Sequence, residues 1–111
     1  MMSSAQKETA ISNAFITFRD EAPGYAQAWG EMVKKLSQAS ALDGKTAALA
    51  YLSVLAVLRL ESGIPFHVQM AKQKGATRAE VISAILVGLP AAGHVVTQAL
   101  PGALAAYDGQ A

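Results

Sequence analysis

Apolar positions along the chain recur at helical spacing. A four-residue repeat of apolar side chains predicts a first helix from about Ala5 to Arg19. Pro23 is placed to open a second helix, because proline fits a first helical turn. No window alternates as a strand would, so the pattern predicts an all-α chain. The apolar stripe of the second helix falls at i, i+4, i+7, i+8 and i+11 and consists of Tyr25, Trp29, Met32, Val33 and Leu36.

Three further helices are marked by signals at their ends. Asp43 is the expected N-cap of a third helix. Residues 46–58 of that helix carry no charge, so we expect it to be buried on most sides. Pro65 opens a short fourth helix, and Gly75 is a stop signal behind it. Residues 77–80, Thr-Arg-Ala-Glu, have the form of a capping box and predict a fifth helix.

The stretch 81–107 contains no formal charge. A transmembrane helix is one interpretation, since about 20 apolar residues span a bilayer. Gly-Leu-Pro at 88–90, Gly93 and Pro-Gly at 101–102 divide the stretch into two or three pieces, and no Lys/Arg cluster flanks it. We therefore expect helices that a partner subunit buries, with no membrane association. Residues 1–10 contain no apolar segment of signal-peptide length, which predicts no export.

Composition narrows the class of protein. The 111 residues suit a single helical domain, 1–111, yet 52% of them are hydrophobic and only 15% are charged. So short a chain cannot hide that much apolar surface, so we expect a homo-oligomer. Nine Lys and Arg against eight Asp and Glu, without a basic cluster, argue against nucleic acid as a main ligand. The absence of cysteine excludes disulfides and thiolate nucleophiles and fits a cytoplasmic protein.

Two histidines are the main candidates for chemistry. His67 follows a helix break, where free backbone N–H groups favour a neutral imidazole and attract anions. It is either an acid/base or pocket residue, or a packed histidine that caps a turn. His94 is expected to be neutral and hydrogen-bonded in a subunit interface. Glu61, with Arg59 as its expected partner, belongs either to a site or to a solvated rim. A metal held by both histidines and Glu61 has no supporting spacing, so we predict no metal site.

The segments LDGK at 42–45, IPFHV at 64–68 and GATRAEVI at 75–82 follow one another along the chain. With them the chain resembles the carboxymuconolactone decarboxylase family, which includes the alkylhydroperoxidase D-like proteins, over about residues 15–108. The resemblance implies an all-α, alkylhydroperoxidase D-like domain of about five to six helices. It also implies a homo-oligomer, commonly a trimer or hexamer, whose interface would include the uncharged carboxyl-terminal third.

The resemblance implies which chemistry is lost and which is kept. The peroxidase branch of the family combines a Cys-x-x-Cys pair and an upstream Glu with its histidine. Alignment on His67 places these three positions at Leu60, Gly63 and near Ala48, so we predict no thiol peroxidase activity. The decarboxylase branch works without a metal or organic cofactor, and we predict none here.

By the same resemblance, one expected function is that of a cofactor-free lyase or isomerase acting on a small carboxylated metabolite. His67 and Glu61 are then the catalytic candidates. The residues expected to bind the substrate are Arg59, Phe66, Met70 and His94. Two alternatives stay open: a non-catalytic oligomer that binds an apolar small molecule, and a purely structural helical oligomer.

Overall fold

The computed structural model describes residues 11–110, and these form α-helices, two 3₁₀ segments and no strand. The all-α prediction is confirmed, with six helices of eight residues or more in the described range. In chain order the helices are α1 Asn13–Glu21, α2 Pro23–Ala39, α3 Gly44–Val57, α4 Ile64–Gln73, α5 Arg78–Leu86, the single turn α6 Leu89–Ala92, and α7 Leu100–Tyr107. The 3₁₀ segments are Glu61–Gly63 and Gly93–Ala99.

The first helix begins later than its apolar repeat suggests. Its N-cap is Ser12, whose hydroxyl accepts a hydrogen bond from the backbone N–H of Phe15 at 3.2 Å. Ile11 and Ser12 are not helical, so a continuous helix from Ala5 is wrong for the described residues. The rest of that expected start lies outside them. The helix begins after Ser12 because the serine hydroxyl accepts a hydrogen bond from a backbone N–H group that the start of a helix otherwise leaves without a partner.

The capped starts predicted for the third and fifth helices are confirmed. The Asp43 carboxylate accepts from the backbone N–H of Thr46 at 2.9 Å at the start of α3. Thr77 and Glu80 exchange the two hydrogen bonds of a capping box, at 3.1 and 2.9 Å, at the start of α5. Lys45 Nζ also lies 3.0 Å from a Glu80 carboxylate oxygen and so connects α3 to α5. The backbone N–H of Thr77, with Lys45, holds the pKa of Glu80 below its usual value.

The core forms around α3, which packs on α4 and α5, while α4 also packs on α7. Five of the twelve buried hydrophobic residues are alanines, and no polar residue of the described range is buried. Small side chains of this kind let helix backbones approach closely at native packing density. The buried residues are Leu52, Leu55, Ala56, Ile64, Val68, Ala71, Ala76, Val81, Ile85, Val96, Ala99 and Ala103.

Helix α3 is buried on one face only, so the expectation of burial on most sides is wrong for the single chain. Its buried residues are Leu52, Leu55 and Ala56. On the opposite face, Tyr51 is 46% exposed and Val54 is 53% exposed. The charge-free sequence of α3 has no polar stripe to mark a solvent side, and the chain supplies neighbours for only one face.

The uncharged stretch 81–107 is divided, as predicted. Residues 78–107 have the length and composition of a membrane span, with a mean hydropathy of 1.7 over 18 residues. In the structure, the longest helix of that stretch is α5, of nine residues, whereas crossing a bilayer takes about 20. Val81, Ile85, Val96, Ala99 and Ala103 from this stretch lie in the core. Five residues of the segment expected at a subunit interface are therefore buried within the chain itself, and the other residues of 81–107 are partly or fully exposed.

Helices α1 and α2 form a hairpin that contributes nothing to the core. Neither helix has a buried residue. The Phe15 and Trp29 rings lie 5.5 Å apart, between their centroids, where the two helices meet. Among residues 11–110, neither helix packs extensively on any helix other than its hairpin neighbour. The single apolar stripe predicted for α2 is present but faces outward.

Candidate site around Tyr51 and His67

The turn between α3 and α4 positions His67. Arg59 adopts a left-handed conformation with φ of 60°, and the backbone N–H of Leu60 donates back to the Leu55 carbonyl at 3.0 Å. The 3₁₀ segment Glu61–Gly63 follows, and α4 begins directly behind it with Pro65 in its first turn. This turn reverses the chain so that α4 packs against α3. The predicted helix break and first-turn proline are both confirmed.

His67 is half-buried between two aromatic rings. The Tyr51 ring, from α3, lies 4.4 Å from the imidazole between centroids at an interplanar angle of 32°. The Phe66 ring meets the imidazole edge-on, at 5.2 Å and 86°. Burial lowers the pKa of His67 from its usual value of 6.5, because desolvation disfavours the charged imidazolium. The imidazole is therefore neutral at pH 7, and one nitrogen donates while the other accepts.

No charged group faces His67 within the described range 11–110. No described side chain forms a hydrogen bond or an ion pair with the imidazole. The expected pairing of Arg59 with Glu61 is confirmed, with Nε 2.9 Å from a carboxylate oxygen. A second Arg59 nitrogen donates to the Gln98 side chain at 3.3 Å. Arg59 and Glu61 thus neutralise each other on a partly exposed rim, and neither contacts the imidazole.

The remaining predicted site residues are dispersed. Met70 is half-buried and lies one turn beyond His67 along α4. His94 is exposed at the start of the second 3₁₀ segment, where its carbonyl accepts from the Thr97 hydroxyl at 2.7 Å. Within residues 11–110 the structure brings together no group of three metal-ligating side chains, so the alternative of a metal held by both histidines and Glu61 has no geometric support.

Tyr51 is the site residue that the sequence did not reveal. It lies 16 positions before His67, in a helix without any charge, and its contact with the imidazole depends on how α3 packs on α4. One signal was present, since Tyr51 is the only aromatic residue of α3. An aromatic ring with a polar end, alone on an aliphatic helix, is typical of a binding surface.

Comparison with known families agrees with this architecture. A family model described as the carboxymuconolactone decarboxylase family matches residues 23–106, about three quarters of the chain. The chain belongs to the carboxymuconolactone decarboxylase family. The match begins with α2, so the exposed stripe is within the family domain. Searches of curated proteins and of solved structures find no significant match.

The position that would hold the second peroxidase cysteine in this family lies beside the histidine. A Cβ atom added at Gly63 would lie 3.9 Å from His67 Cδ2 and 3.7 Å from a Leu55 methyl. Ala48, near the expected position of the relay Glu, is partly buried and packs against the hydrophobic core. At the two positions where the resemblance places a cysteine and the relay acid, this chain has a glycine and an alanine, which supply neither a thiol nor a carboxyl group.

Proposed function

We propose that this protein is a non-catalytic, oligomeric member of its family that binds a small, largely apolar molecule at Tyr51 and His67. The observation that carries this proposal is the neutral imidazole packed against the Tyr51 and Phe66 rings with no charged group against it in the described chain. Binding sites for small molecules are mostly apolar with a few placed polar groups, and this pair of rings has that composition. We place the protein in the cytoplasm, without a metal or organic cofactor.

The side chains at the site define the class of ligand. The Tyr51 and Phe66 rings offer flat apolar surfaces, while the imidazole offers one donor and one acceptor. A ligand with a ring or short hydrocarbon body and one lactone or carboxyl oxygen satisfies both features. Among the described residues, a molecule with two carboxylates finds no free cation at this site, because Arg59 is paired with Glu61.

A cofactor-free isomerase or lyase is the second candidate, and one observation favours it. Because burial lowers its pKa, the His67 imidazole is unprotonated at neutral pH and can accept a proton. In an isomerisation it would take a proton from the carbon beside a carbonyl and return that proton to another carbon. No charged donor in the described chain faces the imidazole to stabilise the enolate oxygen that forms, and this weighs against turnover.

The test compares the two histidines on one panel of compounds. Benzoate, cyclohexanecarboxylate and a five-membered lactone carboxylic acid are titrated into the wild type, His67→Ala, Tyr51→Ala and the control His94→Ala. Loss of one ring contact or hydrogen bond should weaken binding about tenfold in the first two variants. The His94→Ala variant should bind as the wild type does.

Proton NMR of the same mixtures detects turnover. We expect no product from any compound in the panel. Product that disappears in His67→Ala but persists in His94→Ala would establish the lyase or isomerase instead. A correctly folded His67→Ala protein with unchanged affinity for every ligand would remove His67 from any functional role.

A further inference from the structure

Two apolar surfaces have no packing partner among residues 11–110. The first, the α2 stripe, consists of Tyr25, Trp29, Met32, Val33 and Leu36, of which Tyr25 is 76% and Leu36 is 62% exposed. The second, the α3 face, consists of Tyr51, Val54, Val57 and Leu58, spaced as one side of the helix and all exposed. Most monomeric proteins scatter such residues singly, so two organised patches in one small chain indicate surfaces that are covered in the working protein.

The hairpin cannot owe its structure to the core of its own chain. None of the residues of α1 or α2 is buried, and the two helices pack extensively only on each other within the described range. Short helices in water are marginal unless an apolar face is packed. A partner that covers the α2 stripe would supply the packing that the described core does not give the hairpin.

A second copy of this chain fits both surfaces at once. At 1.5 Å per residue, the 17 residues of α2 span about 25 Å and the 14 residues of α3 span about 21 Å. In a two-fold pair, the stripe of each copy covers the α3 face of the other. Each patch exposes roughly 500 Å², so a reciprocal pair would bury about 2,000 Å², the upper end of a standard protein interface.

The charges on α2 argue for protein rather than lipid as the occupant. The polar side of α2 carries Glu31 together with Lys34 and Lys35, a mixed set. Helices that lie on membranes are rich in Lys and Arg on that side. Met32 and Leu36 also border a shallow, open depression on the surface of α2, whose other lining residues are Ala28, Glu31 and Lys35. Spaces between side chains on one helix are where the side chains of a second helix pack.

We propose that the α1–α2 hairpin of one copy docks its α2 stripe on the α3 face of a second copy and closes the Tyr51–His67 site of that copy. Tyr51 belongs to both the α3 face and the site, so a chain that covers the face also contacts a ligand bound at the site. The site is then complete only in the assembly. The docking stands on the exposed surfaces, and only the closure of a ligand site rests on the proposed function.

Cross-linking between differently tagged copies tests the docking without any ligand. The chain has no cysteine, so introduced thiols are unique. A protein carrying Met32→Cys is mixed with one carrying Val54→Cys and treated with a short bismaleimide. We expect a product of two chains that carries both tags. Replacing the first variant with Gln38→Cys, on the opposite side of α2, should give little of it. No mixed product, or equal product from Gln38→Cys, would overturn the proposal.

Sedimentation and fluorescence supply the second readout. Trp29 is the only tryptophan and lies in the α2 stripe, so its emission should shift to the red as the protein is diluted. Leu36→Glu should weaken self-association at least tenfold, whereas Gln38→Glu should leave it unchanged. A wild type that stays monomeric at high micromolar concentration would overturn the proposal. So would sedimentation of that monomer with anionic phospholipid vesicles, which would assign the stripe to a membrane.

Discussion

A methyl group added at Gly63 would enter the space between Leu55 and His67. The new Cβ atom would lie 3.7 and 3.8 Å from the two Leu55 methyl carbons and 3.9 Å from His67 Cδ2, which are ordinary contact distances. The backbone φ of Gly63 is −88°, which alanine adopts without strain. Gly63→Ala should therefore stabilise the protein by about 0.4–1 kcal/mol, chiefly because the unfolded chain loses freedom.

Gly88 provides a matched control with the opposite expected sign. Its φ of −85° also suits alanine, but a Cβ atom there would lie only 2.9 Å from a Val57 methyl. Val57 has a branched, stiff side chain, so the helix contact must open to admit the methyl. Gly88→Ala should cost about 1–3 kcal/mol, as overpacking usually does.

Urea denaturation at one fixed protein concentration measures both variants, since association makes stability depend on concentration. The midpoint should rise for Gly63→Ala and fall for Gly88→Ala, with the slope unchanged. A destabilised Gly63→Ala protein would refute the reasoning, because it would mean that the space beside His67 is already filled or that the turn before α4 differs. Equal shifts of the urea midpoint in Gly63→Ala and Gly88→Ala would also refute the reasoning.

Three further predictions concern pH, helix capping and thiol chemistry. Burial holds the pKa of His67 below 6.5 in the folded state. As the pH drops below about 6.5, the unfolded chain therefore binds a proton at His67 more readily than the folded protein does, and the free energy of unfolding should fall. His67→Gln should lack that component of the fall, as measured by melting curves between about pH 5 and 8. Thr77→Ala removes the N-cap of α5 and should cost about 1 kcal/mol in urea denaturation. Leu60→Cys with Gly63→Cys should not confer hydroperoxide reduction in a dithiol-coupled assay, because Ala48, near the position that the resemblance gives to the relay acid, has no carboxyl group.

Each of these has a control or a contrary result. Parallel melting profiles of the wild type and His67→Gln across the whole pH range would contradict the effect of burial on the imidazole. Thr17→Ala, at an exposed position inside α1, should not reproduce the loss seen with Thr77→Ala. Steady hydroperoxide consumption by the double cysteine variant would show that the histidine alone suffices to activate a thiol at position 63.

The ends of the helices were predictable because their signals are local. Asp43, the capping box at Thr77 and Glu80, and Gly75 each act within a few residues, and all three are confirmed. Gly75 has a φ of 95°, which side chains rarely adopt, so its role at the end of α4 follows from backbone geometry alone. The start of α1 was missed because the apolar repeat outweighed a single serine in the sequence pattern.

The solvent face of α3 and the partners of His67 were not predictable, for a different reason. Both depend on which helix packs on which side, and a charge-free helix has no polar stripe to encode that choice. Proximity in sequence suggested Arg59 and Glu61 as neighbours of the histidine, yet they pair with each other. Tyr51 reaches the imidazole through helix packing across 16 positions of sequence.

The alanines of the core determine where sequences with this fold are free to vary. Ala56, Ala71 and Ala103 hold helix backbones close together, so any larger side chain there overpacks and costs about 1–3 kcal/mol. The outer sides of α2 and α3 face no such limit within the chain. Substitutions on the two outer surfaces therefore change what packs against them without disturbing the buried core. A chain of this architecture can therefore acquire a new ligand or a new mode of assembly while its core and its fold stay unchanged.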